Sequence, residues 1–237
     1  MNREISNVLI VDDERSIRVA LRTVLSNCGF TTVEAARGGK ALSLVHAAQF
    51  DAVLLDIDLP DINGIEVCRL IRESSPRLPI IMLSVYDDED YKVKALESGA
   101  DDYVTKPFHI GELIARLRLA IRRNKIYSEE AEEAITIGEV VLDPARHMVK
   151  KSGRAVHLTP KQFELLHYLM ARAGKPVLHA KLLRSIWGAE YGSQVEYLRT
   201  FIRQIRLKIE DDPAHPKYLL TDAHIGYRFS EGAQEDF

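Results

Sequence analysis

Short runs of β-forming residues alternate with stretches of helical periodicity over the first 123 residues. The runs predict strands at 8–11, 31–35, 52–55, 80–84 and 102–105, and the periodic stretches predict helices near 14–27, 38–48, 64–74, 88–98 and 110–123. Two of the strands, 8–11 and 52–55, are continuously apolar, which is typical of strands buried on both faces. Five successive strand–helix units predict a doubly wound, parallel, five-stranded α/β sheet.

The second half of the chain follows a different pattern. Alternating β-like residues occupy 135–158, and a capping box formed by Thr159 and Gln162 predicts a helix that ends near Gly174. Further helices are predicted at 179–187 and 195–210, and a hairpin at 218–221 and 226–229. Helices followed by a terminal hairpin predict a winged helix-turn-helix.

Charge supports a division into two domains. Residues 1–123 carry 16 basic and 19 acidic residues, a net charge of −3, whereas residues 135–230 carry 15 and 9, a net charge of +6. We therefore predict a first domain at 1–123, an acidic linker at 124–134, a second domain at 135–230 and an acidic tail at 231–237. The basic second domain indicates a polyanionic partner, although a solvated charged face is the alternative interpretation.

The chain shows no signal-peptide core and no apolar run of transmembrane length. Cys28 and Cys68 have no spacing that suggests a disulfide framework, so both are expected to be small core residues. We therefore expect a cytoplasmic protein without a membrane partner.

Polar residues follow four of the predicted strands directly. They are Asp12, Asp13, Asp56, Ser84 and Lys106. Ligands of an open parallel sheet bind at the carboxyl ends of its strands, so these side chains should converge. Three carboxylates repel one another unless a divalent ion and the lysine neutralise them, and Mg²⁺ prefers such oxygen ligands.

These residue types suit transfer of a phosphoryl group to a carboxylate. In this interpretation Asp56 is the nucleophile, and Asp12 and Asp13 hold the Mg²⁺ ion. Lys106 offsets charge on the transferred oxygens, and the Ser84 hydroxyl donates to the phosphoryl group.

The segments 11–14, 55–64 and 100–108 resemble the receiver domains of two-component response regulators. This resemblance implies a flavodoxin-like fold and phosphotransfer from a sensor histidine kinase to Asp56. It also implies that the Asp58 carbonyl completes the metal site, that Lys106–Pro107 is a cis peptide, and that Ser84 and Tyr103 form a switch pair. Such a protein is not an enzyme towards other substrates, although it can catalyse its own phosphorylation and dephosphorylation.

One residue departs from the receiver pattern. Alanine usually follows the switch hydroxyl in the family, and this chain has Val85 there. The larger, β-branched side chain is expected to narrow access to the phosphoryl site and to slow phosphorylation by small donors.

The family resemblance also predicts a two-fold dimer that forms through the fourth helix, fifth strand and fifth helix after phosphorylation. Charged residues occupy the matching positions. They are expected to pair as Lys92 with Glu112, Glu97 with Arg118, Asp101 with Arg123, and Asp102 with Arg116. Exposed pairs of this kind would fix register and orientation rather than supply much affinity.

The long helix at 195–210 has one apolar stripe with a spacing of three and four residues. Its members are Val195, Leu198, Ile202, Ile205 and Ile209. The opposite face is predicted to be exposed and carries Glu196, Tyr197, Thr200, Arg203, Gln204 and Leu207, with Arg199 and Arg206 on the flank. Hydrogen-bonding side chains of these types suit reading of the DNA major groove.

Four segments of the second half resemble the winged-helix domain of OmpR/PhoB-type regulators. They are 158–166, 182–188, 198–206 and 226–229. The resemblance makes 195–210 the recognition helix and 221–227 the wing, with double-stranded promoter DNA as partner and RNA polymerase as a candidate partner. The expected further contacts are Trp187 near the DNA backbone and Thr221, His224 and Tyr227 in the wing.

The segments 197–199, 211–218 and 224–229 narrow this resemblance to regulators of potassium-transport operons. Two other functions stay open. Asp56-Ile57-Asp58 is similar to the motif that opens haloacid-dehalogenase-type phosphatases, which would make the protein a Mg²⁺-dependent aspartyl-phosphate phosphohydrolase. The chain could also bind DNA without using phosphorylation.

Overall fold

The computed structural model describes residues 5–129, 133–189, 191–192, 194–223 and 225–232, without the side chains of 123–129. The chain divides into two compact units, Met1–Asn124 and Lys125–Phe237. Among the described helices, none is long and apolar enough to cross a membrane.

The first unit is a parallel five-stranded sheet with five helices. Its strands are β1 (Asn7–Val11), β2 (Thr31–Ala35), β3 (Ala52–Asp56), β4 (Ile80–Ser84) and β5 (Asp102–Thr105). Its helices are α1 (Arg15–Asn27), α2 (Gly38–Ala47), α3 (Gly64–Ser74), α4 (Glu89–Glu97) and α5 (Ile110–Glu129). The predicted fold class is confirmed.

The strand order places a topological switch point between β1 and β3. The order is β2-β1-β3-β4-β5, so the chain runs outward from β1 to β2 and then returns to the other side of β1. Val8 to Val11 and Ala52 to Leu55 are fully buried, as their continuous apolar runs predict. A crevice at the carboxyl ends of β1 and β3 is where such sheets bind ligands.

Helix α5 is longer than its sequence pattern predicts. It continues to Glu129, six residues into the predicted linker, because residues 112–129 contain no glycine or proline to stop it. Residues 130–132 of that linker and 233–237 of the predicted acidic tail lie outside the described residues.

The second unit contains two antiparallel sheets and three helices. One sheet has the order β6-β7-β8-β9, with strands β6 (Ile135–Ile137), β7 (Val140–Asp143), β8 (Met148–Lys151) and β9 (Arg154–Val156). The helices are α6 (Pro160–Met170), α7 (His179–Ile186) and α8 (Val195–Ile209). The second sheet has the order β10-β12-β11, with β10 (Val177–Leu178), β11 (Leu219–Asp222) and β12 (Gly226–Phe229).

These elements form the predicted winged helix-turn-helix, with two local differences. Strand β10 has only two residues, too few for an alternating pattern to indicate it. Helix α6 ends at Met170, and Gly174 lies beyond it with a φ of 77°, the left-handed conformation typical of a helix terminus. The predicted capping box is confirmed by reciprocal bonds between Thr159 and Gln162.

Candidate functional site

Three carboxylates converge at the switch point. Asp12 and Asp13 follow β1 and Asp56 ends β3, and one oxygen of each lies within 4.8 Å of the others. Asp12 and Asp56 are buried, whereas Asp13 is exposed. This oxygen-only donor set is suited to a hard divalent ion such as Mg²⁺.

Lys106 joins the cluster from the loop after β5. Its Nζ lies 2.7 Å from Asp12 Oδ2 and 2.7 Å from Asp56 Oδ2. The Lys106–Pro107 peptide is cis. Three carboxylates and one ammonium leave a formal charge of −2, which one divalent cation would neutralise.

The buried charges perturb each other's titration. Burial raises the pKa of the Asp12 carboxyl, against the opposing hydrogen bond and charge of Lys106. Burial acts to lower the pKa of Lys106, but its bonds to Asp12 and Asp56 outweigh that effect and raise it. The lysine is therefore charged at neutral pH.

The raised pKa of Asp12 predicts that this carboxylate destabilises the metal-free protein at neutral pH. Asp12→Asn should raise the free energy of unfolding by about 0.5–2 kcal/mol at pH 8. Because the folded-state pKa lies above the unfolded one, the gain should shrink as pH falls through the folded value and the wild-type carboxyl becomes protonated.

Urea unfolding of the wild type and of Asp12→Asn, in EDTA and at pH values from 8 downwards, measures the difference in the free energy of unfolding. Asp13→Asn is the matched control, since Asp13 is exposed and a change within about 0.5 kcal/mol is expected there. A gain from Asp12→Asn that stays constant with pH would contradict the prediction.

Ser84 and Tyr103 meet at one residue, Tyr86. The buried Ser84 Oγ accepts from the Tyr86 amide at 3.1 Å, and the Tyr103 hydroxyl donates to the Tyr86 carbonyl at 2.6 Å. Tyr103 is already buried here, with its side chain directed inward. The Tyr86 hydroxyl also lies 3.4 Å from Asp58 Oδ1, and its ring stacks on Tyr91 of α4 at 4.4 Å. No sequence pattern indicates Tyr86, because its contacts are formed by the loop after β4.

Val85 directly follows the buried Ser84 and has 61% of its surface exposed. Val85→Ala should therefore speed labelling by acetyl phosphate a few-fold if the valine methyl groups obstruct small donors. Initial labelling rates in Mg²⁺ measure the effect. An unchanged rate would contradict the obstruction.

The expected dimer contacts need correction at two acidic positions. Asp101 is buried and accepts from Arg72 at 2.5 Å and from the Ile80 amide at 2.9 Å, so it is not on an exposed face. Asp102 is also buried and pairs with Arg116 of its own receiver at 3.0 Å. Both acids therefore stabilise the receiver from within.

The other expected dimer residues differ in accessibility. Lys92 is half-buried and pairs with Asp87, Glu112 pairs with Arg116, and Glu97 and Arg118 are exposed. The Arg123 side chain lies outside the described residues.

The exposed face of α8 also differs from the predicted one. Arg199, Arg203 and Leu207 are exposed, but the expected DNA contacts Tyr197, Thr200 and Gln204 are buried. Helix α8 packs against both α6 and α7, and the fully buried Phe201 extends the core side beyond the single predicted stripe. The Gln204 amide oxygen accepts from Gln162 of α6 at 2.7 Å.

Other expected DNA contacts have structural partners within the second unit. Trp187 is buried with its ring 5.0 Å from that of Phe201, and Tyr227 is buried beside His179. Arg206 donates to the Leu219 carbonyl and, at 2.8 Å, to Thr221 Oγ1, which joins α8 to the terminal hairpin. Thr221 is exposed, and His224 lies outside the described residues.

A receiver-type acidic site and a winged helix in one chain define a DNA-binding response regulator. Residues 8–118 match the response regulator receiver domain, and residues 153–229 match the family described as transcriptional regulatory protein, C terminal. The protein belongs to the response regulators of the OmpR/PhoB type.

Individual relatives agree with this assignment. The chain is 43% identical to the transcriptional regulatory protein KdpE of two Mycobacterium tuberculosis strains, over 94% of this chain and 98% of that protein. It is 33% identical to the Thermotoga maritima OmpR/PhoB homologue DrrB, over 96% of this chain and 100% of that one, with a TM-score of 0.52. A mutant of RitR shares the fold, with a TM-score of 0.78 at 24% identity and the same coverage.

Proposed function

We propose that this protein regulates transcription and is switched when a sensor histidine kinase phosphorylates Asp56. The observation that carries the proposal is the position of the Lys106 ammonium, 2.7 Å from both Asp12 and Asp56, within a cluster of three carboxylates. A structural ion pair would need neither the exposed Asp13 nor a net negative charge. Because its proposed partner is DNA, the protein is proposed to be cytoplasmic.

Asp56 is the proposed nucleophile. An Asp56 carboxylate oxygen would attack phosphorus, the bond from phosphorus to the kinase imidazole would break, and the imidazole nitrogen would leave with the electron pair. Lys106 would hold the Asp56 side chain in position and offset charge on the transferred oxygens. A bound Mg²⁺ ion, held by Asp12, Asp13, Asp56 and the Asp58 carbonyl, would neutralise the remaining charge.

Conformational change would follow from the partners of Ser84. Its hydroxyl accepts from the Tyr86 amide and keeps its own proton to donate, so a Ser84 side chain that turned towards a phosphoryl oxygen would draw on the bond to Tyr86. Because Tyr86 also bonds to Tyr103 and stacks on Tyr91, a shift of Tyr86 would carry the change into α4. Phosphorylation would then favour one of two receiver conformations.

Dimerisation is the proposed output of that change. Helix α4 and helix α5 carry the exposed charges Glu97 and Arg118 and the half-buried Lys92 and Glu112, which would exchange their partners Asp87 and Arg116 for a symmetric contact. A dimer would bring two basic winged-helix domains to adjacent DNA half-sites and raise their effective affinity.

DNA reading is proposed for the exposed face of α8. Arg199 and Arg203 can bind guanine or phosphate, and Leu207 adds an apolar contact on the same face. Thr221, on the neighbouring hairpin, can donate to a phosphate. RNA polymerase is a further candidate partner of the DNA-bound dimer.

Arg203→Ala should weaken DNA binding by about tenfold, since a base-reading arginine contributes roughly 1–3 kcal/mol. Gln204→Ala is the matched comparison, because Gln204 is buried and bonded to Gln162, and its loss should mainly reduce stability. Fluorescence anisotropy gives the affinities and thermal unfolding gives the stabilities. If Gln204→Ala alone weakened DNA binding, the DNA-reading face of α8 would be the one predicted from the sequence, which includes Gln204.

The likeness to KdpE supports potassium-transport genes as targets. The test is to incubate the protein with Mg²⁺ and a phosphodonor, let it select genomic fragments, and sequence those retained. Enrichment upstream of potassium-transport genes that weakens about tenfold with Asp56→Ala would support the full proposal. Enrichment elsewhere would reject the potassium targets, and selection unaffected by Asp56→Ala would indicate a regulator that does not use phosphorylation.

A further inference from the structure

We propose that Arg18 is a positioning residue for the metal site. The inference rests on the proposed Mg²⁺ site and extends it to a residue that does not contribute a ligand. Arg18 lies one turn into α1, and its side chain is 14% exposed.

The Arg18 guanidinium binds the backbone of the loop that carries the acidic pair. Its Nη1 donates to the Asp12 carbonyl at 2.7 Å and to the Asp13 carbonyl at 2.9 Å. Two neighbouring carbonyl groups are thus held by one planar, rigid donor. This fixes the segment of chain from which both carboxylates project.

The guanidinium is itself held by the sheet. Arg18 Nε lies 3.4 Å from Glu34 Oε2, and Glu34 lies on β2 directly opposite Ile10 of β1. Arg22, one turn further along α1, pairs with the same glutamate at 2.7 Å. Glu34 therefore links α1 to β2, and β2 pairs with β1, the strand that leads into the acidic loop.

The Asp12 carboxylate is oriented by two further bonds. Its Oδ1 accepts from the Glu14 amide at 2.8 Å, and its Oδ2 accepts from Lys106. The bond to the Glu14 amide closes a turn within the loop, and the Asp12 amide donates to the Ala35 carbonyl of β2 at 3.1 Å, so the carbonyl contacts of Arg18 add to these restraints on the loop backbone. Together, the bonds to the Asp12 carboxylate and the bonds from Arg18 to the backbone hold the loop in a conformation that can bind a cation.

Positioning and simple electrostatics predict opposite results for loss of Arg18. A cation near the site repels Mg²⁺, so removing its charge would tighten binding. Removing a support for metal ligands typically weakens affinity 10–100-fold. The adjacent Glu34 offsets the arginine charge, so we expect the positioning effect to dominate.

The test is Mg²⁺ titration by calorimetry of the unphosphorylated full chain. Arg18→Met should raise the dissociation constant about tenfold, and Arg18→Lys, which keeps the charge but loses the planar donor, should recover only part of that loss. Arg22→Met is the matched control, because it also loses a pair with Glu34, and its dissociation constant should stay within about twofold of wild type. Thermal unfolding in EDTA reports whether each variant is folded.

Unchanged or tighter Mg²⁺ binding by folded Arg18→Met would overturn the inference. If Arg18→Met does not fold, Glu34→Gln decides instead, since it loosens the guanidinium and should weaken Mg²⁺ binding a few-fold. Asp13→Ala distinguishes a failure of the role proposed for Arg18 from a failure of the proposed metal site. Loss of binding in Asp13→Ala but not in Arg18→Met would reject only the role of Arg18, and binding unaffected by Asp13→Ala would reject the metal site.

Discussion

Replacing Arg72 with methionine should destabilise the receiver by about 3–5 kcal/mol, because it leaves the Asp101 carboxylate buried without its cationic partner. The pair joins α3 to the loop before β5 at 2.5 Å, with side chains that are 10% and 2% exposed. Arg72 also donates to the carbonyls of Leu78 and, at 2.6 Å, Gly99. Loss of this side chain would therefore release bonds that join α3 to the loops before β4 and β5.

Arg69 supplies the matched control on the same helix. Its guanidinium pairs with Glu66 and Glu73 but is half exposed, so Arg69→Met should cost no more than about 1 kcal/mol. Urea unfolding monitored by circular dichroism measures both. Adding Asp101→Asn to Arg72→Met should recover part of the loss, since the buried charge is then removed and the amide oxygen can still accept from Ile80. Equal costs for Arg72→Met and Arg69→Met would show that the buried pair contributes no more than a surface pair.

Asp101 also illustrates a limit of sequence reasoning. Adjacent acids at 101–102 resemble exposed charges near a helix face, and nothing in their spacing points to Arg72, 29 residues earlier. Strands β1 and β3 were predictable because their continuous apolar runs reflect burial on both faces, a local property. The site residues were predictable because strand ends in a parallel sheet share one edge, so a position in sequence implies a position in space.

The prediction for helix α8 failed for a similar reason, because packing between helices is not visible in the sequence. A spacing of three and four residues marks one buried stripe, and Leu198, Ile202 and Ile205 are indeed buried. The pattern could not show that α8 contacts two other helices, which widens the buried arc to include Thr200 and Gln204. Polar side chains in that arc form their hydrogen bonds internally, so residue type alone could not separate the buried Thr200 and Gln204 from the exposed Arg203.

The close approach of α3 to Asp56, the proposed phosphoacceptor, predicts a severe effect of Gly64→Ala. A Cβ atom at Gly64 would lie 2.0 Å from the Asp56 carbonyl oxygen and 2.7 Å from Ile57 Cα, and both of these are backbone atoms. The end of β3 would have to move, and this should reduce stability by about 1–3 kcal/mol. A displacement near 1 Å at a reacting group can cost about a hundredfold in rate, so labelling of Asp56 by acetyl phosphate should fall by that order.

Gly111→Ala separates this steric effect from the general consequences of losing a glycine. Gly111 lies in α5, where an added Cβ meets nothing within 4 Å, so alanine should stabilise the helix by up to about 1 kcal/mol and leave labelling unchanged. Labelling is measured at a temperature where both variants are folded. A folded Gly64→Ala protein that accepts phosphate at the wild-type rate would show that Asp56 can move with its backbone and keep its reactive geometry. The supports from Lys106 and the acidic loop, rather than the approach of α3, would then determine the position of the nucleophile.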